Sequence, residues 1–434
     1  MIVSAAPALI NPTLHTSASG LTIIAEQMPI NAVNFSLWTP TGSAVESDSL
    51  NGMAHFLEHM IFKGTQTLVP GEFERQVEQR GGMTNAMTSQ DYTCYYVTTA
   101  PQDFDAIAPL QLDLVLNAAI PEPEFERERQ VVLEEIRRAS DNIRRRVYMN
   151  AMAIAFNRLP YRRPVLGPFE NVERFTAAQM RQFHQTWYAP SNFTAVVVGN
   201  LPVEQMIATL EAQLEKQQDN LNPSGSDRAP RPTLPKPTLP EFLPEDPFEN
   251  APPQDIQDSR LTEARLMMMW RVPGMMAVAE SDGLDVLARI LGAGRTSRLV
   301  QELREDRRLV THVGASNLTH TAQGLFWISV HLPAENITAV ESAILSQIQA
   351  LHEDLVSIAE LEQVKRQTIN QFIFENEAPS SRAGLYGYSH AVFGNLTEGL
   401  TYTDRIQSLH RETLQTIAQR YLPLNGLQIL RMYP

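Results

Sequence analysis

Two kinds of hydrophobic spacing alternate along the chain. Short β-branched and aromatic runs predict strands at Leu21–Ala25, Ala32–Trp38, Tyr92–Thr98 and Ala195–Val198. Further runs of this kind lie at Arg265–Val272, Gly324–His331 and Leu427–Leu430. Apolar residues recurring every three or four positions predict helices over Pro70–Gly81, Gln102–Ala118, Glu122–Asn142, Ala177–Trp187 and Val203–Gln217. The same period returns over Asn336–Leu351, Ile358–Phe374 and Arg411–Tyr421. Strands followed by runs of helices predict an α+β domain, and the order occurs twice. In the first copy Asn51 and Gly52 lead into a helix; in the second, Asp282 and Gly283 take that place. Matching these pairs sets His55, Glu58 and His59 opposite Val286, Arg289 and Ile290, so the second copy has the scaffold without the chemistry.

Between the copies the pattern fails. Prolines fall at 223, 230, 232, 235, 237, 240, 244, 247, 252 and 253, and no helix or central strand survives such a density. The division expected is a first domain over 1–216, a semi-rigid linker over 217–258 and a homologous domain over 259–434. The acidic residues Glu241, Glu245, Asp246 and Glu249 read as a solvated spacer.

Composition narrows the function classes. A chain of 434 residues with 43% hydrophobic and 19% charged residues is globular and too long for one ordinary core. A net charge of −14 argues against nucleic acid and suits basic peptides. The single cysteine, Cys94, excludes an internal disulfide and a thiolate zinc cage, and its strand-like surroundings make it a core residue. No apolar run is long enough to span a membrane, and Met1–Pro7 lacks the basic and apolar regions of a signal peptide. The expectation is a soluble chain, cytoplasmic rather than periplasmic or organellar.

The chemistry concentrates in one helix. His55, Glu58 and His59 spell H-x-x-E-H, the inverted zincin signature. Residues four apart share a helical face, so two imidazoles can close on one Zn2+. Glu58 lies beside that face, suited to take a proton from a water at the metal. A third ligand is needed, and the helix Glu122–Asn142 offers Glu128, Glu134 and Glu135. Positions 128, 131, 132, 135 and 139 share a face that Val131 and Val132 turn inward, which favours Glu135 as ligand and puts Glu128 two turns away as an auxiliary acid. A Glu-rich helix on its own is ordinarily a solvated amphipathic helix. Met267–Met269, Met275 and Met276 read as core. His184, His320, His331, His352, His390 and His410 have no ligand spacing, and the glycine-rich stretch Gly384–Gly394 lacks a phosphate-loop pattern.

Gly52–Thr65, Glu126–Ile136 and Phe183–Gly199 together resemble the pitrilysin (M16) metallopeptidases, in the short two-domain form related to the β subunit of the mitochondrial processing peptidase. The resemblance implies one Zn2+ per chain, held by His55, His59 and Glu135, with Glu58 as catalytic base and Glu128 as auxiliary catalytic residue. It implies two homologous domains, each an antiparallel-rich sheet packed with helices. It also implies clam-like chains that pair around a chamber, where a peptide lies as an added strand against Asn85 and Ala86. The family's substrate-orienting Arg matches Arg304, but Thr311 stands where its Tyr is expected. That departure favours a heterodimer with a zinc-less homologous chain supplying Arg and Tyr over a homodimer. The alternative function is a structural or assembly subunit with vestigial or no peptidase activity.

Overall fold

The computed structural model describes residues 12–221 and 237–434; Met1–Pro7, read as lacking a signal peptide, and the linker prolines at 223, 230, 232 and 235 lie outside them. In chain order the elements are β1 (Thr13–Thr16), β2 (Thr22–Gln27), β3 (Val33–Thr39), α1 (Met53–Ile61), α2 (Glu72–Gln79), β4 (Met83–Thr88) and β5 (Thr93–Thr99). Then come α3 (Phe104–Leu116), α4 (Glu122–Asp141), α5 (Ile143–Ala155), α6 (Phe169–Arg174), α7 (Ala177–Trp187), β6 (Thr194–Gly199) and α8 (Val203–Leu221). The rest of the chain forms β7 (Gln254–Gln257), β8 (Ala264–Pro273), α9 (Val278–Gly292), β9 (His312–Leu318), β10 (Gln323–Leu332), α10 (Ile337–Glu353) and α11 (Ile358–Glu375). It ends with α12 (Pro379–Phe393), α13 (Thr397–Leu400), α14 (Tyr402–Ser408), α15 (Arg411–Tyr421) and β11 (Gln428–Tyr433).

The first sheet runs β1-β2-β6-β3-β5-β4 and the second β7-β11-β8-β10-β9. Each has one parallel pair, β2 with β6 and β7 with β11; the other pairs are antiparallel. The architecture is the expected α+β class with two antiparallel-rich sheets. In both, the last strand of a copy inserts beside the first long strand of that copy, so the two sheets share one plan.

Both faces of the first sheet are covered. Phe35, Leu37, Tyr95, Val97, Ala195 and Val197 face the core built with α1, α3 and α7. Ile24, Trp38, Cys94, Val196 and Val198 face the other way, onto Ala383 and Tyr386 of α12. This explains the unbroken apolar run of β6, whose residues are all buried: a strand covered on both sides loses its polar alternation. In the second sheet Leu266, Met268, Trp270, Phe326 and Ile328 meet α9, α10 and α15. On its opposite face Tyr148 of α5 packs edge-on against Trp327, at 5.9 Å between rings.

Compactness follows the sheets rather than the sequence halves 1–216 and 259–434. One unit takes the described residues of Met1–Arg137, Pro164–Pro240 and Ile373–Leu400; the other takes Arg138–Arg163, Glu241–Phe372 and Thr401–Pro434. Each half of the chain thus lends a helix to the back of the other's sheet.

Several expectations change. The stretch Gly384–Gly394, read from the sequence only as lacking a phosphate-loop pattern, belongs mostly to helix α12, and Gly387 lets that helix lie against the Trp38 indole: a Cβ there would come within 2.1 Å of Nε1. Asp282 and Gly283 fall inside α9 rather than ahead of it. Helix α8 runs on to Leu221, and β7 forms just past Pro253, where backbone N–H groups are again available for pairing. Glu245 is not solvated: it is buried, ion-paired with Arg271 at 2.8 Å, and accepts the N–H groups of Asn157, Arg158 and Leu159. Met276 is exposed, whereas Met267–Met269 and Met275 are core.

Gly387→Val should force the Trp38 contact apart and lower stability by about 1–3 kcal/mol, read as a clear drop in Tm. Gly384→Ala, whose Cβ meets nothing within 4 Å, should leave Tm unchanged or raised.

Candidate metal centre

Helix α1 begins at an unusual cap. Gly52 holds φ 105°, and a Cβ on it would lie 2.8 Å from the Leu166 carbonyl oxygen. The carboxylate of Glu46 accepts the first helical N–H groups. From this start His55 and His59 fall on one face, their rings 4.8 Å apart and inclined by 66°.

Helix α4 packs against α1 through Phe56 and Phe125, stacked at 4.7 Å and 24°. Its inward residues are Phe125, Glu128, Arg129, Val132 and Leu133. The inward face is therefore rotated from the one expected: Val132 is buried but Val131 is 49% exposed, since the face is centred on Phe125, Arg129 and Val132. Glu135 still arrives at the imidazole pair. Its Oε2 stands 3.5 Å from Nε2 of His55 and 3.5 Å from Nε2 of His59. Glu134 is turned outward, 3.4 Å from Arg137.

The donor set fits a zinc ion. In a tetrahedral site with bonds of about 2.1 Å, neighbouring ligand atoms lie about 3.4 Å apart. The three ligand atoms lie within 4.8 Å of one another, and this is the one such grouping of His, Cys and acidic side chains among the described residues.

Behind the pair, Nδ1 of His59 donates to Glu128 at 2.9 Å, and Lys63 reaches the other oxygen of Glu128 at 2.8 Å. Burial of Glu128 favours its neutral form, but the bonds from His59 and Lys63 outweigh that and hold the carboxyl below its usual range. Burial likewise works against a charged His59, yet its bonds to Glu128 and Glu135 raise it to about 9. Glu58 lies on the other side, accepting a short hydrogen bond from Thr88 at the end of β4. Burial pushes the Glu58 carboxyl up, against the pull of Thr88 and His59.

Strand β4 is the free edge of the first sheet, with Met83 70% and Met87 45% exposed. Asn85 and Ala86 lie on it, and Asn85 Oδ1 accepts the N–H of Ala86 at 2.9 Å. A cavity of about 860 Å³ runs beside this strand, lined by Glu74, Met83, Asn85, Tyr96 and Trp38 among others. Arg304 belongs to the second unit, where it pairs with Glu305 at 2.7 Å. Thr311 there donates to Glu263 at 2.7 Å. Val286 and Ile290, opposite the histidines in the repeat, are buried in the second core.

Lys63, Thr88 and Glu46 escaped the sequence reading. Lys63 stands four residues beyond His59, a spacing that could have flagged it. Thr88 and Glu46 carry no such signal, because their partners come through the sheet edge and a long loop.

Residues 21–169 match the family described as Insulinase (Peptidase family M16), and residues 174–368 match the one described as Peptidase M16 inactive domain. The zinc protease PqqE of Helicobacter pylori is 28% identical over 388 residues, covering 88% of this chain and 83% of that one. The crystal structure of a protease from Helicobacter pylori superposes with a TM-score of 0.86 at 23% identity, covering 98% of this chain and 99% of that chain. The periplasmic protease PqqL of Escherichia coli superposes with a TM-score of 0.80 at 20% identity, covering 99% of this chain but 48% of that one. With both halves of the chain matched and the same fold in these proteases, the chain belongs to peptidase family M16, as a short two-domain member.

Proposed function

We propose that this chain is a zinc-dependent endopeptidase, holding one Zn2+ through His55, His59 and Glu135 and using Glu58 as general base. One observation carries the reading: a single Glu135 oxygen stands 3.5 Å from both imidazole nitrogens, with Glu58 on the same helix as the histidines yet outside that set. When bound, Zn2+ supplies Lewis acidity, lowering the pKa of a water to about 7 and polarising a carbonyl. Glu58 accepts the proton of the attacking water and delivers it to the leaving nitrogen. Thr88 steadies the Glu58 carboxylate for that transfer. Glu128 acts through His59, fixing the ring so that Nε2 faces Glu135, and Lys63 holds Glu128 in turn.

The substrate is an extended or unfolded peptide laid as an added strand along β4, using main-chain groups near Asn85 and Ala86. Its arrival requires Asn85 Oδ1 to release the Ala86 N–H it now accepts. Arg304 is assigned to substrate orientation. Thr311, in place of a Tyr, supports a second, zinc-less homologous chain as partner, with a second copy of this chain the other arrangement. The length of PqqL, about twice the span this fold covers, is in keeping with a working unit of two such chains.

Glu58→Gln should retain about one zinc per chain and lower kcat for an unfolded peptide by about 10²–10⁴-fold. Glu135→Gln should lose the metal as well. A Glu58→Gln protein that cleaves at the wild-type rate defeats the assignment. An assembly subunit would instead show zinc without turnover in any combination of chains.

The isolated chain should cleave peptides weakly or not at all. A homologous chain lacking H-x-x-E-H but carrying Arg and Tyr should restore cleavage on mixing, measured with a fluorogenic peptide. Full activity of the purified chain alone rules out the obligatory partner.

A further inference from the structure

We infer that Glu46 is the positioning residue of the metal-binding helix, keying it to the edge strand along which substrate would lie; this rests on the zinc reading above. Glu46 lies in the loop between β3 and α1, and it is 5% exposed. Its Oε1 accepts the N–H of Ala54 at 2.7 Å, and its Oε2 accepts the N–H of Gly52 and the side-chain amide of Asn51, each at 2.9 Å. Bonds to an ionised acceptor are the strong ones, and a negative charge at a helix N-terminus is favoured by the helix dipole. Gly52 and Ala54 immediately precede and flank the turn that carries His55.

The other end of the tie is equally defined. Just before Glu46, the N–H of Ser43 donates to Ser89 at 3.1 Å and that of Ala44 to Gln90 at 2.8 Å. Ser89 and Gln90 form the turn after β4, next to Thr88, which holds Glu58. A side chain on Gly42 would come within 2.4 Å of both turn carbonyls, so this contact is close-packed. On the opposite side Gly167 presses on Asn51, whose carbonyl oxygen would lie 2.3 Å from an added Cβ. The short loop Ser43–Glu46 therefore joins two frames, its backbone holding the β4–β5 turn and its buried carboxylate the first turn of α1. Helix α1 has no side-chain cap at its own N-cap position, so Glu46 is what fixes its entry angle. A small tilt of α1 would move two ligands and the base together relative to Glu135.

The test uses the full chain, stripped of metal, with Zn2+ affinity measured by competition against a chromophoric chelator. Glu46→Ala should bind Zn2+ about 10–100-fold more weakly, the usual cost of losing a group that orients metal ligands. Glu46→Gln keeps one acceptor oxygen and should fall between Glu46→Ala and wild type. Gly387→Val, which loosens the far side of the same sheet, serves as control: a lower Tm with affinity within about twofold of wild type. Affinity unchanged in Glu46→Ala overturns the inference, and so does an equal loss in the Gly387→Val control. If Glu46→Ala gives no soluble protein, Glu46→Gln decides, and wild-type affinity there overturns it. Wild-type protein that takes up no Zn2+ overturns the metal reading itself, an outcome distinct from wild-type uptake with unaffected Glu46 variants.

Discussion

The packing of α1 on α4 is the contact on which the site depends. Phe56 and Phe125 stack at its centre, and each ring is wholly buried. One turn from these rings on either helix stand His59 and Glu128, which meet as a direct consequence. Glu135 lies two turns beyond Glu128 on the same helix, so α4 carries both carboxylates to the imidazole pair as one rigid rod. Loosening that apolar seam would scatter three side chains at once.

The site gathers three carboxylates around two imidazoles. Glu58, Glu128 and Glu135 crowd two imidazoles in a half-buried space, with Lys63 the nearest fixed positive charge at Glu128. His59 is raised, against its burial, by the bonds to Glu128 and Glu135, whereas Glu58 is raised chiefly by burial, with the charge of Glu135 adding to it. Metal binding at such a cluster displaces protons and converts mutual repulsion into coordination. The arrangement offers the donor set that the proposed divalent ion would need.

The two sheets show how one plan serves two ends. In each, a helix follows the first long strand and packs beneath the sheet. In the first unit that helix carries His55 and His59; in the second, Val286 and Ile290 fill matching places in an apolar core. Without ligands at these places the second unit packs well, because valine and isoleucine bury better than imidazole. The exchange of α5 and α12 between the sequence halves covers the back of each sheet, where β6 and β8 expose side chains to both sides.

The sequence by itself determined most of the long helices and central strands, the duplication and the H-x-x-E-H face, because each depends on residues close enough to leave a periodic trace; helices α5 and α12, which cover the backs of the sheets, have no counterpart among the predicted elements. It narrowed the third ligand to one helix and preferred Glu135 there, on a face drawn through Val131 that the fold then rotated. Only the tertiary structure decided that Phe125 sets that face, that Glu128 stands behind His59, and that Thr88 and Lys63 hold the two carboxylates. The same is true of Glu245, read as solvated and found buried on Arg271, and of Gly384–Gly394, given no element from the sequence and found mostly in a helix lying on Trp38. These features join residues far apart in the chain, and local spacing holds no record of which distant group a side chain will meet once the backbone has closed.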